Sequence, residues 1–138
     1  MQLEANKRRV DVSVWLLLSI IALNAALKWR FFSGLTQADD FSYGVYSYTF
    51  FRLPLPWDMT MDFRALRLAL LMPVSLLFRL LPPSEFAAVL YPMMASFLMI
   101  PFVFLIGRKL YGNAAGLFAA FALATFPGDI IYGTMLLP

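Results

Sequence analysis

Apolar residues form three long runs in this chain, residues 12–27, 86–106 and 114–136, and charge is confined almost wholly to the stretches around them. The first run, extended by Lys28, Trp29 and Arg30, predicts a helix over about 12–31, which at 1.5 Å per residue reaches the roughly 30 Å needed to cross a bilayer. The second predicts a helix over about 86–107 of similar reach, with Pro92 and Pro101 as kink points. The third predicts one over about 114–136, interrupted at Pro127, Gly128 and Asp129. A shorter apolar run, 68–78, is enclosed by Arg67 and Arg79 and is interrupted by Pro73. Its length of about 16 Å is too small to cross, which predicts an interfacial helix over about 64–81 lying along the membrane surface. The fold class expected is therefore all-α integral membrane, with about three transmembrane helices and extracytoplasmic interfacial helices between the first and second.

Charge placement gives the orientation. Lys7, Arg8 and Arg9 precede the first run and Arg108 and Lys109 follow the second, and the positive-inside tendency puts both clusters in the cytoplasm. That requires an even number of crossings between them, so the Arg-bounded run stays on one side and the outer loop, about 33–85, is extracytoplasmic. A multi-pass protein of the plasma (inner) membrane with a cytoplasmic N-terminus is expected. A cleaved signal peptide is the competing reading of the first run, with Ala25 or Ala26 near its cleavage site. Lys28, Trp29 and Arg30 read instead as an interfacial anchor reaching for head groups.

Composition agrees. Of 138 residues, 62% are hydrophobic and 14% charged, against soluble averages of about 45–50% apolar and about 25% charged. The net charge of +3 lies in small clusters without a basic stripe, so nucleic acid is not an expected partner. The chain has no Cys and no His, which excludes disulfides, thiolate nucleophiles, imidazole bases and the usual zinc sets. Chemistry is left to carboxylates, Lys/Arg, hydroxyls or an oxygen-bound metal. The best chemical candidate is the adjacent pair Asp39 and Asp40, in a polar, aromatic-rich stretch just after the first run.

One span, an outer loop opening on Asp39, Asp40 and Tyr43, an apolar helix bounded by Arg67 and Arg79, and Ser84-Glu85-Phe86 leading into a span that ends on Gly107, Arg108, Lys109, Tyr111 and Gly112 together form a familiar order. It resembles the amino-terminal part of the GT-C glycosyltransferases, closest to the family-39-like group of protein O-mannosyltransferases and lipid A aminoarabinose transferases. The resemblance covers about residues 8–138. It implies a polyprenyl-phosphate sugar as donor, an acceptor (protein, lipid or glycan) at the extracytoplasmic face, Asp39 as the catalytic acid with Asp40 beside it, Tyr43 at the substrate, and Arg64 or Arg67 on the lipid phosphate. A divalent metal at Asp39 is compatible with it. The family's second acidic residue, after the third span, and its further spans do not appear in this sequence, which is expected to be inactive alone.

Each residue also has a plainer reading. Thr36 and Asp39 have the spacing of a capping box, which would make Asp39 helix-start chemistry. Arg64 and Arg67 can grip a phosphate from one helix face or simply anchor at head groups. Arg52, Asp58 and Asp62 suit a solvated loop, and Tyr46, Tyr48, Phe50, Phe51 and Trp57 an interfacial belt. Asp129 is expected at the interface, near the outer end of its run. From a different functional class, the chain reads as a small non-catalytic membrane subunit packing on a larger partner through Ala114, Ala115, Gly116, Ala119, Ala120, Ala122 and Ala124.

Overall fold

A computed structural model describes residues 2–50 and 67–136, with side chains from residue 12 onward. The described residues form six helices and no strand: α1 (Gln2–Arg30), α2 (Ala38–Thr49), α3 (Leu68–Leu80), α4 (Glu85–Tyr111), α5 (Asn113–Ala124) and α6 (Pro127–Tyr132). Two stretches are long and apolar enough to cross a membrane, Val12–Arg30 of α1 and Glu85–Tyr111 of α4. Only 17% and 22% of their apolar windows are buried within the chain. The core helix of a soluble protein would be mostly covered, whereas these show most of their apolar surface outward.

The helices gather into two compact units, residues 1–32 with 95–131, and residues 33–94 with 132–138. In the first, α1 packs on α5 and the buried core is Ile100 and Phe104 of α4 with Ala120 and Ala124 of α5, joined by Leu17, Ile20 and Ile21 of α1. The α4–α5 turn needs glycine at Gly112, whose φ of 91° is the left-handed conformation that ends one helix and allows the next to start. Beyond it the two backbones nearly touch: a Cβ on Gly107 would lie 2.9 Å from the Gly116 Cα, and one on Gly116 would lie 2.6 Å from the Phe104 carbonyl oxygen. Gly116, Ala120 and Ala124, four apart, form the buried stripe of α5, so small residues do set a close helix contact. That contact is internal to the chain.

In the second unit α2 packs on α3, and Tyr43, Leu71, Val74 and Phe78 share a core with Ala87, Ala88 and Val89 of α4 and with Leu136. Residues 33 and 34 are tied to the turn that follows α6, the Ser33 N–H donating to Thr134 Oγ1 at 3.3 Å and the Gly34 N–H to the Thr134 carbonyl at 3.1 Å.

Two local expectations change. Pro73 does not interrupt its helix, because α3 keeps going to Leu80 with Leu71, Val74 and Phe78 buried on one side, and that burial outweighs the one backbone hydrogen bond a proline removes. The third apolar run is two helices rather than one. α5 stops at Ala124, and Pro127, with no N–H to donate, opens α6 at its first position.

Candidate functional site

The acid-bearing helix α2 begins one residue later than the capping-box spacing of Thr36 and Asp39 suggests. Gln37 is its N-cap, in an extended conformation, and Asp40 occupies the third helical position. The Asp40 carboxylate accepts the Gln37 backbone N–H at 3.2 Å, with Thr36 contributing a second backbone bond. Helix-start chemistry thus belongs to Asp40 and not to Asp39. The shift also turns the two acids apart, since successive helical residues project about 100° from one another. Asp40 is fully buried, on the inner face with Tyr43, Gly44 and Ser47, while Asp39 is half-exposed.

Capping accounts for only one of the two Asp40 oxygens. Oδ1 is buried without a hydrogen-bond partner, as is the Ser47 hydroxyl two turns along the same face. A carboxylate so placed is costly to keep charged. Burial pushes the Asp40 carboxyl above the usual carboxylate range, and the nearby Asp39 charge adds to that shift. The Gln37 and Thr36 backbone bonds oppose it.

Tyr43 lies under the helix pair as a core residue, with the Arg67 guanidinium 5.4 Å from its ring centroid in a cation–π contact. Arg67 is the N-cap of α3, so it precedes that helix instead of sitting on one of its faces. The proposed partner Arg64 lies outside the described residues, as do Arg52, Phe51, Trp57, Asp58 and Asp62. Tyr48 stacks edge-on against Phe78 at 6.3 Å. Among the described residues no three His, Cys, Asp or Glu side chains gather where they could hold a metal ion, and Asp39 and Asp40 do not converge. The candidate site is thus Asp40, with its open oxygen, and Tyr43 on the same inner face with the Arg67 guanidinium near its ring.

The first unit holds a second polar cluster that the sequence reading missed. Lys28 is not a head-group anchor. Its side chain is 1% exposed and forms an ion pair with Asp129 at 2.9 Å, Asp129 being 12% exposed. The ammonium also donates to the Ser96 hydroxyl and lies 4.8 Å from the Phe97 ring centroid, so its three N–H groups have three partners. Ser96 in turn donates to Asp129. Asn24, one turn before Lys28 on α1, donates to Asp129 at 3.1 Å and to the Ala124 carbonyl at 2.7 Å, which is among the last carbonyls of α5 and has no donor from its own helix. Asp129 is therefore held inside by a cation, and is not a plain interfacial acid. The available signal was its presence in an apolar run, where a charge demands a partner.

No protein-family model, curated protein or solved structure matches the chain.

Proposed function

We propose that this chain carries the acid-bearing membrane part of a glycosyltransferase that takes its sugar from a polyprenyl-phosphate donor. α1 and α4 are two crossings of the plasma membrane, and α5 with α6 makes a third, broken one. α2 and the interfacial α3 lie at the extracytoplasmic face, with the N-terminus in the cytoplasm. The observation that carries this reading is the buried Asp40 carboxyl, whose Oδ1 has no partner and whose affinity for protons is raised.

Glycosyl transfer needs a group that removes the proton of an acceptor hydroxyl while its oxygen attacks the sugar's anomeric carbon and the bond to the phosphate oxygen breaks. A carboxylate of raised pKa suits that work near neutral pH. The phosphate left on the lipid needs a cation, and a guanidinium matches it by shape and charge. Arg67, at the N-cap of α3, or Arg64 would serve. Asp39 is the acid that the GT-C resemblance names, and Asp40 is the one whose surroundings suit a base. Of the small residues on which a non-catalytic subunit would pack, Gly116, Ala120 and Ala124 are buried within the chain, while Ala114 and Ala122 are exposed.

The test is transfer from radiolabelled polyprenyl-phosphate sugars, by the membrane-inserted glycosyltransferase that contains this chain, to extracted glycan, lipid and protein acceptors. Asp40→Asn is expected to lower the rate by about 10²- to 10⁴-fold, the usual worth of a general base, without loss of insertion. Transfer unchanged in both Asp39→Asn and Asp40→Asn would refute the reading.

A further inference from the structure

The chain offers α2 two places to start. Thr36, with Asp39 three residues on, has the spacing of a capping box, and threonine is a preferred N-cap residue where glutamine is not. The helix nevertheless begins one residue later, with Gln37 as its N-cap and the Gln37 N–H donating to the Asp40 carboxylate at 3.2 Å. Local preference is overruled, so contacts outside α2 set its start. They lie just upstream, within the second unit. Thr134 is fully buried, and it accepts the Ser33 N–H on its hydroxyl at 3.3 Å and the Gly34 N–H on its carbonyl at 3.1 Å. Gly34, at φ 65°, makes the left-handed turn that follows, and Leu35 then packs against the core that holds Tyr43 and Leu136. Gln37 is extended, at φ −110° and ψ 155°. Taken into the helix it would advance the chain only about 1.5 Å instead of about 3.3 Å, too little to reach Ala38 while Ser33, Gly34 and Leu35 stay anchored.

We infer that Thr134 is a positioning residue for Asp40: by holding residues 33 and 34 it keeps Gln37 out of the helix, which ties one Asp40 oxygen to the cap and leaves Oδ1 open to an acceptor hydroxyl. Its place in catalysis rests on Asp40 being the base. Without the tie, Gln37 joins the helix under a Thr36 cap and its N–H leaves the Asp40 carboxylate. That bond favours the charged form, so its loss makes Asp40 a weaker acid and carries the acid limb of the pH–rate profile to higher pH. Asp39 is the charge that acts on Asp40. Tyr43 and Tyr46 of α2, Tyr91 of α4 and Arg67 beside the Tyr43 ring are the other titratable groups around this core.

The measurement is amide hydrogen exchange of the full chain in mild detergent, read by NMR. Thr134→Val keeps the shape of the side chain and removes the hydroxyl, whereas Thr134→Ser keeps the hydroxyl. Thr134→Val is expected to speed exchange at Ser33 and Gln37 by about tenfold and to leave Tyr43 and Tyr46, inside α2, at the parent's rates. Thr134→Ser is expected to match the parent throughout. Thr36→Ala, at an exposed position, removes the competing cap, so adding it to Thr134→Val should return Gln37, but not Ser33, to slow exchange. In the glycosyltransferase that contains this chain, Thr134→Val should move the acid limb of transfer to higher pH and Thr134→Ser should not. Unchanged exchange at Gln37 in Thr134→Val would overturn the inference, and so would faster exchange along the whole of α2, which is what a plain loss of stability gives. An unmoved pH profile in an enzyme that Asp40→Asn does disable would overturn it too. If Asp40→Asn leaves transfer intact, the base reading falls, and the exchange pattern still upholds or overturns the positioning of the carboxylate by Thr134.

Discussion

Lys28→Met tests the buried charge cluster most directly. At 2.9 Å and an effective dielectric constant of about 20, the Lys28–Asp129 attraction is about 6 kcal/mol before desolvation. Taking both ions out of water costs several kcal/mol each, so the pair as a whole adds little to net stability. Removing one partner is another matter, because the desolvation of the remaining charge is then uncompensated. Lys28→Met strands the Asp129 carboxylate and Asp129→Asn strands the Lys28 ammonium, and each is expected to cost about 3–5 kcal/mol. That is a large part of a total stability of about 5–15 kcal/mol. The double variant leaves no charge, keeps an amide that can still bond Asn24 and Ser96, and is expected to lose only about 1 kcal/mol. The assay is denaturant unfolding of the purified protein in mild detergent, followed by helical circular dichroism and analysed as a double-mutant cycle. Additive losses, or single variants as stable as the parent, would refute the pairing.

Other outcomes follow from individual positions. Gly116→Ala places a methyl 2.6 Å from the Phe104 carbonyl oxygen, forcing α4 and α5 apart at a cost of about 1–3 kcal/mol. Gly44→Ala meets nothing nearer than Leu35 Cδ1 at 3.6 Å and should raise stability by about 0.5–1 kcal/mol through helix propensity, both read as shifts in the same unfolding curves. Ser47→Ala removes a buried hydroxyl that has no partner and should be neutral or stabilising by up to about 1 kcal/mol; a clear loss would mean that the hydroxyl is satisfied after all. Asp40 binds its proton more tightly folded than unfolded, its value lying above the ordinary 3.8. Its contribution is therefore unchanged below that ordinary value, and stability falls as pH climbs from there through the raised one. Asp40→Asn should flatten that decline in unfolding midpoints measured across pH.

The long helices were legible because length and hydropathy alone decide them: residues 12–31 and 86–107 correspond to Val12–Arg30 and Glu85–Tyr111. α3 was legible between its arginines, though Pro73 misleads, since propensity yields to burial on both sides of it. α2 was legible only as a capping-box start, set one residue early, because its run of Ser, Tyr and Gly is a weak helix former and it is helical through packing on α3. The candidate acids were visible as a pair, but which of them lies inside depends on where the helix starts, and a one-residue shift in the cap exchanged their roles. The Lys28–Asp129 pairing was invisible because each charge sits near the end of an apolar run, where lipid head groups explain it equally well. Only the fold brings together residues 101 positions apart. The roles of Asp39, Arg64 and Arg67 at a substrate rest on the resemblance alone.

The way α5 ends bears on how the protein is made. The amide that accepts responsibility for the Ala124 carbonyl comes from Asn24, and the cation for Asp129 from Lys28, both of which leave the ribosome long before their partners. The gap between α5 and α6 is therefore shaped by a template already synthesised, and a chain split in the 51–66 segment should acquire that shape only when its two pieces are produced in the same membrane.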